Sequence, residues 1–371
     1  MRIAITGGRG FIGRNLQVRL QELGHKDLVL VPHDADTAAL TALLAGVDFV
    51  FHLAGVNRPQ DPAEFTSGNQ DFTRRLCEAM AAQGQPPRVA FASSTQASLD
   101  NPYGRSKRAA EDELLSYGQR TGAGAHVFRL TNVFGKWSRP NYNSAVATFC
   151  HNIARGEPVV VNKADAPLKL IYVDDVVRHL CALLDDANAP SGLLPAGPEY
   201  DTTVGELADQ VRAFAHSRES MVTERVGTGL VRALYATYVS FLPLPAFEYQ
   251  VARHADPRGV FVEMLKTPDC GQFGYFTAFP GITRGEHYHH TKTEKFLVIK
   301  GTASFGYRHI ITNETHEIVT HGGDGRIVET IPGWTHNVTN VGDDELVVLV
   351  WANEIFDRSK PDTVAQKVQQ A

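Results

Sequence analysis

Two groups of residues in this chain have types and spacings suited to chemistry. The first is Tyr103-Gly104-Arg105-Ser106-Lys107. Residues four apart on a helix share a face, so a phenol there stands beside an ammonium. A free tyrosine titrates near ~10 and is a poor acid–base group at neutral pH, and a cation within a few ångströms favours the phenolate and lowers that value. The pair is then poised to exchange a proton with a carbonyl or hydroxyl. Just upstream, the apolar run Val89-Ala90-Phe91-Ala92 ends in Ser93-Ser94-Thr95, where a hydroxyl could hold the same substrate oxygen. A tyrosine and a lysine at this spacing also arise by chance on solvated helix faces, so their weight comes from what surrounds them.

The second group is Gly285-Glu286-His287-Tyr288-His289, followed by Glu294 and, far downstream, by His336 within Pro332-Gly333-Trp334-Thr335-His336-Asn337-Val338-Thr339-Asn340. On a strand, residues two apart face the same side, so His287 and His289 converge while His290 turns away. Glu294 and His336 complete three nitrogens and one oxygen. That donor set suits Zn²⁺ and is acceptable to Fe, Ni or Mn. One divalent metal per chain is expected, zinc first.

The elements that must position the first group read as alternating strands and helices. Ile3-Ala4-Ile5 is a buried-strand signal, and Thr6-Gly7-Gly8-Arg9-Gly10-Phe11-Ile12-Gly13 leads into a helix marked by Leu16, Val18 and Leu20. Strand, glycine turn and helix are the context of a phosphate cradle: Gly7 permits the turn, Gly10 lets backbone approach a pyrophosphate, and Gly13 allows close helix packing. A second strand, Leu28 to Val31, ends at Pro32-His33-Asp34, the edge that reads the adenosine ribose. Asp34 favours a free 2′-hydroxyl, hence NADH, whereas Arg9 could meet a 2′-phosphate, hence NADPH; charge alone leaves both open. Further strands are expected at Asp48 to Leu53, with small residues Ala54 and Gly55 at its end, at Val89 to Ala92 and at Val127 to Leu130. Such alternation implies a parallel sheet covered on both faces. A helix is expected from Thr202 to Ala215, and a connector over the Tyr-, Leu- and Pro-rich segment Leu234 to Phe247. Beyond Arg258 the pattern changes to short strands and glycine turns, which predicts an antiparallel jelly-roll or barrel. The expected organisation is an α/β Rossmann domain over residues 1–246 and an all-β domain over 247–371.

The 371 residues carry a net charge of -5 and no long basic run, so nucleic acid is not an expected partner. Cys77, Cys150, Cys181 and Cys270 are scattered, which argues against a disulfide framework or a thiolate zinc knuckle. Neither a signal peptide nor an apolar run of membrane-spanning length is visible, and a cytoplasmic protein is expected.

Five runs in the first ~240 residues resemble the extended short-chain dehydrogenase/reductases that act on nucleotide sugars: the Thr6-to-Gly13 loop, His52-Leu53-Ala54-Gly55, Ser94 with Tyr103 and Lys107, Arg129-x-x-Asn132-Val133-Phe134-Gly135, and Tyr172-Val173-Asp174-Asp175-Val176. The resemblance implies that Tyr103 is the acid–base group, that Lys107 also holds the nicotinamide ribose, and that Ser94 orients the substrate, with Thr95 the less favoured hydroxyl. It implies cofactor contacts from Gly7, Arg9, Gly10, Phe11, Ile12, Gly13, His33, Leu53, Ala54 and Gly55, besides Tyr103 and Lys107. Dehydratases of this group carry acidic residues just after the hydroxyl; Ser94-Thr95-Gln96-Ala97 has none, which leaves a reductase or a 4-epimerase. The histidine runs resemble both cupin motifs. Residues Asp256 to Glu263 and Arg284 to Tyr288 are similar to the cupin-fold epimerases of deoxy-sugar nucleotides, which use a histidine at the position of His287, and Tyr288, Tyr275 or Tyr307 could return the proton.

A reductase joined to such a cupin is similar over nearly the whole chain to the CapF (WbjC) family of capsule and O-antigen synthesis, including Asn101-Pro102-Tyr103-Gly104, Asn141-Tyr142-Asn143-Ser144 and His290 to Phe296. That likeness implies a homodimer, NADPH as cofactor, and a UDP-activated 2-acetamido-2,6-dideoxy-4-hexulose as substrate. It implies C3 epimerisation in the cupin by His287 and Tyr288, then C4 reduction to the L-talose product, a precursor of N-acetyl-L-fucosamine. Substrate contacts are expected from Asn57, Thr95, Asn132, Lys136, Asn143 and Arg284. The competing expectation is a single-function 4-reductase or 4-epimerase whose cupin only holds a metal.

Overall fold

The computed structural model of the chain describes residues 1–251, 253–256, 259–262, 271–354 and 359–369. Pro257, Arg258, Glu263 and Cys270, singled out in the sequence, lie outside the described residues. The chain forms two compact units, Met1–Val133 with Lys169–Asp201, and Phe134–Leu168 with Thr202–Ala371. The change in sequence character at residue 246 therefore falls inside the second unit.

The first unit is the expected Rossmann-like sheet. Strands β1 (Ile3–Thr6), β2 (Leu28–Val31), β3 (Phe49–His52), β4 (Arg88–Ser94) and β5 (Ala125–Leu130) pair in parallel in the order β2-β1-β3-β4-β5, and Gly192–Leu193 extends the edge beyond β5. Residues Ile3, Ile5, Phe49 and Phe51 are fully buried, as strands covered on both faces require. The chain leaves β1 for β2 on one side and returns to β3 on the other. The crevice at this reversal is where open α/β sheets bind ligands. Gly7 lies there with φ of +66°, and a Cβ on it would stand 2.7 Å from the Ala54 nitrogen, so both the turn and the approach of the two strand ends require glycine. Gly10 then caps the helix Phe11–Glu22.

The second unit holds the helices Ala145–Ile153, Val204–Ser220 and Gly229–Ser240 and the β-rich half. Thr203 and Glu206 close a capping box that starts the Val204–Ser220 helix, whose Leu207, Val211 and Phe214 are buried. The segment expected to be a connector is different in kind. It contains the end of a buried helix, with Tyr235 and Tyr238 packed against Phe214 at ring separations of 5.1 and 6.0 Å. Its Tyr and Leu content is core material, and only the residues around Leu242-Pro243 break the helix. The β-rich half contains two five-stranded sheets, antiparallel as expected, besides the hairpin pairing Arg253–Asp256 with Gly259–Val262. One contains Glu294–Lys300, Arg326–Glu329 and Leu346–Ala352; the other contains Thr283–Tyr288, Thr302–His309, Trp334–Asn340 and Val364–Ala365. Phe296 and Phe305, one from each sheet, meet at 5.6 Å between ring centres in the core.

The helix Pro102–Thr121 begins with Asn101, whose side chain accepts from the Gly104 amide at 2.8 Å, and with Pro102 in its first turn. A Cβ on Gly104 would lie 2.3 Å from the Gln96 carbonyl oxygen and 2.5 Å from that of Leu99. Alanine there gains about 1 kcal/mol of helix propensity, while forcing two backbone carbonyls aside costs about 1–3 kcal/mol. Gly104→Ala should therefore lower the denaturant midpoint despite the better propensity; a raised midpoint would contradict this packing.

Candidate active site and candidate metal centre

The crevice of the first unit is assembled by a directed chain of hydrogen bonds. The Thr73 hydroxyl donates to the Asn69 carbonyl at 2.7 Å, so its oxygen accepts from His52 Nε2 at 2.8 Å. His52 Nδ1 is then free to accept from Thr6 Oγ1 at 2.7 Å, and Thr6 Oγ1 in turn accepts from the amides of Leu53 and Ala54 at 3.1 Å each. Burial, then the charge of Lys107, holds the His52 ring down at about 3, which keeps it neutral as this chain of bonds requires. Asn69 lies in a π-helical turn, Thr66–Asp71. Its side chain accepts from the Val56 amide at 2.8 Å and donates to the Val56 carbonyl and to Ser106 Oγ, both at 3.0 Å, and Ser106 donates to the Tyr103 carbonyl at 2.8 Å. The sequence reading missed Asn69; its signal is a polar side chain in an otherwise amphipathic helical stretch, which has no meaning without its distant partners.

Tyr103 and Lys107 lie one turn apart on the helix Pro102–Thr121. Ser94 ends β4 and hydrogen-bonds the Tyr103 side chain. Lys107 is buried, and its Nζ donates to the Ala92 carbonyl at 2.8 Å and lies 4.1 Å from the centre of the Phe91 ring. The expected lowering of the Tyr103 phenol by Lys107 is not found. Burial pushes Tyr103 up, opposed only by its bond to Ser94, and burial also draws Lys107 down to about 7 against the pull of Glu111. A lysine drawn down by burial is a weaker cation for its neighbour. Beneath this trio, buried Glu111 accepts from Ser93 Oγ and from Arg129, with Arg129 Nη2 at 2.6 Å and Nε at 2.9 Å. This clamp fixes the helix to β4 and β5.

The other residues expected at the cofactor and substrate lie as follows. Arg9, His33 and Gly55 are exposed, Phe11 and Ile12 are half-buried in the first helical turn, and Gly13 packs under the Gly7 carbonyl. Asn57 and Thr95 are exposed, and Asn132 is exposed with its amide donating to the Lys169 carbonyl at 3.0 Å. Lys136, Asn143 and Arg284 belong to the second unit. Lys136 is buried with Nζ 5.2 Å from the Trp137 ring centre, Asn143 is exposed, and Arg284 donates to the Thr277 carbonyl at 3.0 Å.

The second unit brings His287, His289, Glu294 and His336 together, each offering a ligand atom within 4.8 Å of the others. His287 pairs directly with His336 across two strands, and a bulge at Glu286, with φ of +60°, re-aims the strand. His289 Nε2 stands 3.3 Å and His336 Nε2 3.6 Å from Glu294 Oε2. Among the described residues, His287 Nε2 and both His336 nitrogens are buried without a hydrogen-bond partner. Burial, then the neighbouring imidazoles, lowers His287 to about 3, and burial also lowers His336. Burial alone would raise the Glu294 carboxyl, but the facing His289 and His336 rings and the Lys292 ammonium hold it well below the usual range. Imidazole nitrogens and an ionised carboxylate facing one another fit a divalent cation. Tyr288 alternates to the other side, its ring 5.6 Å from that of His290. Tyr307 is buried, its hydroxyl donating to the Glu329 carbonyl at 2.9 Å, and Tyr275 is exposed.

Residues 3–193 match the NAD dependent epimerase/dehydratase family, and residues 254–364 match the polysaccharide biosynthesis C-terminal domain. The UDP-2-acetamido-2,6-beta-L-arabino-hexul-4-ose reductase of Pseudomonas aeruginosa is 54% identical over 368 residues, 99% of each chain. The crystal structure of the capsular polysaccharide assembling protein CapF from Staphylococcus aureus is 38% identical, with a TM-score of 0.68 over 99% of this chain and 100% of that one. The UDP-N-acetylglucosamine 4-epimerase from Bacillus cereus, 23% identical with a TM-score of 0.52 over 58% of this chain and 82% of its own, shares the fold. No described helix is long and apolar enough to cross a membrane. The chain belongs to the NAD dependent epimerase/dehydratase family, in the branch that carries a polysaccharide biosynthesis C-terminal domain and includes the Pseudomonas reductase and CapF.

Proposed function

We propose that this chain is a bifunctional nucleotide-sugar enzyme of the cytoplasm, a homodimer serving capsule or O-antigen synthesis. Its substrate is a UDP-activated 2-acetamido-2,6-dideoxy-4-hexulose, epimerised at C3 in the β-rich domain of residues 247–371 and then reduced at C4 in the domain of residues 1–246 to the L-talose product. The single observation that carries the reductive half is the Tyr103 phenol bonded to Ser94 one helical turn from buried Lys107. Identity of 54% to a 4-ketose reductase along 99% of both chains supports the substrate class.

A nicotinamide cofactor, held by Gly7, Arg9, Gly10, Phe11, Ile12, Gly13, His33, Leu53, Ala54 and Gly55, supplies the hydride, and exposed Arg9 favours NADPH over NADH. Tyr103 delivers the proton to the C4 oxygen. Its upward shift suits that task, because the phenol stays protonated until the oxygen becomes basic. Ser94 orients the same oxygen, and Lys107 holds the ribose and shares charge with the emerging phenolate. Asn57, Thr95, Asn132, Lys136, Asn143 and Arg284 are assigned to the substrate. A divalent ion, most simply zinc, held by His287, His289, Glu294 and His336 would polarise a substrate oxygen. Proton transfer at C3 is assigned to His287 and Tyr288.

One observation favours a narrower reading, a 4-reductase or 4-epimerase with a cupin that only binds metal. His287 sits inside the ligand set, and Tyr288 turns toward His290. Chemistry separates the two readings. Removing the C3 proton needs the neighbouring C4 carbonyl as electron sink, and that carbonyl exists only before reduction. The 4-keto sugar incubated in D₂O without NADPH should therefore exchange its C3 hydrogen; reduction without any such exchange would establish the narrower reading. Tyr103→Phe should lower NADPH oxidation by about 10²–10⁴-fold while leaving C3 exchange and cofactor binding unchanged, and near-native turnover by this variant would reject the assignment.

A further inference from the structure

We propose that Asp362, which belongs to none of the ligand motifs, is a positioning residue of the histidine–carboxylate centre, acting on His289 through both its main chain and its side chain. The inference rests on the reading of His287, His289, Glu294 and His336 as a metal centre.

The first contact is between His289 Nδ1 and the Asp362 carbonyl oxygen. A carbonyl only accepts, so Nδ1 must carry the hydrogen. The neutral ring then presents a bare Nε2, and that is the nitrogen facing the centre, 3.3 Å from Glu294 Oε2. A partner on the remote nitrogen is how proteins fix the tautomer and direction of a ligating imidazole.

The Asp362 carboxylate acts on the next three residues of the chain. Oδ1 accepts from the His290 amide at 2.9 Å; Oδ2 accepts from the Thr291 amide at 2.6 Å, the Thr291 hydroxyl at 2.9 Å and the Lys292 amide at 2.7 Å. These four bonds shape the loop that joins His289 to Glu294, and Lys292 within it reaches the other Glu294 oxygen at 2.9 Å. One residue therefore sets the ring of one ligand and the backbone path to the next.

Asp362 is itself held from its C-terminal side. Val364 pairs with Tyr288 and Ala365 with His287. The Gln366 amide donates to the Glu286 carbonyl at 2.8 Å, the Thr335 hydroxyl donates to the Gln366 carbonyl at 2.6 Å, and Arg308 donates to the carbonyls of Lys367 and Val368 at 2.8 and 2.9 Å. Each anchor adjoins or pairs with a strand that carries a ligand.

The test uses the full chain, with zinc as probe. Chelator competition should show Asp362→Ala binding zinc about 10–100-fold more weakly than the unaltered chain, with Asp362→Asn, which keeps one acceptor oxygen for the loop, in between. Asp324→Ala removes a comparable turn cap, at the His321 amide, and should leave zinc affinity unchanged. The ring is read separately, on metal-free protein, by long-range ¹H–¹⁵N NMR: His289 should be protonated at Nδ1, and in Asp362→Ala it should divide between tautomers. Native zinc affinity in Asp362→Ala, or an Nε2-protonated His289 in the unaltered chain, would overturn the proposal. Failure of the unaltered chain to take zinc would instead reject the metal reading, and the tautomer result would still decide the role of Asp362.

Discussion

A charge taken out of water has to find partners, and both sites of this chain are built around that requirement. Lys107 is buried with one carbonyl acceptor and an aromatic face, and Glu111, one turn further along the helix, is engaged with Arg129 and Ser93. The lysine is therefore under-compensated and falls to about 7, while the phenol beside it is pushed up. A phenol kept protonated by burial beside a lysine drawn toward neutrality is a pair whose proton affinities the fold has moved, as sites of proton transfer require. The helix Pro102–Thr121 supplies Tyr103, Lys107 and Glu111 on successive turns. The Glu111–Arg129 clamp and the Asn69–Ser106 bond fix that helix to the sheet.

The second unit meets the same requirement in two ways. Glu329 is buried and is paired with Lys295 at 2.5 Å and with Arg218, so its charge is balanced by side chains of the chain itself. Among the described residues, Glu294 has Lys292 on one oxygen and imidazole nitrogens on the other. Imidazoles, of which burial lowers His287 and His336, do not balance a carboxylate as Lys295 and Arg218 do. The two carboxylates thus separate by role: the first joins the Val204–Ser220 helix to the sheets, and the second leaves a cavity of lone pairs suited to a cation.

Much of this was legible in the sequence. The tyrosine–lysine pair, the glycine turn and the His287–His289 pair were visible because their partners are local, and their meaning follows from periods of 3.6 and 2. Glu294 and His336 were legible through the spacing of a motif. Asn69, Glu111 and Asp362 were not, because each acts on a group brought near only by folding; Asp362 is 73 residues from the ring it holds. The direction of the Tyr103 shift was misjudged for the same reason. Spacing tells which groups are neighbours, but burial decides which of two opposing effects is larger, and burial belongs to the whole fold. The helix Gly229–Ser240 was hidden by its composition, since aromatic and apolar residues all round a helix leave no amphipathic period to detect.

The central claim is that the cavity of lone pairs in the second unit holds a metal, and elemental analysis of the full-length chain tests it most directly. The account predicts one divalent ion per chain, lost in His336→Ala, and a melting transition that falls when a chelator removes the ion, because ligand binding is linked to folding. A metal-free chain whose melting is unmoved by chelator or by added zinc would contradict it.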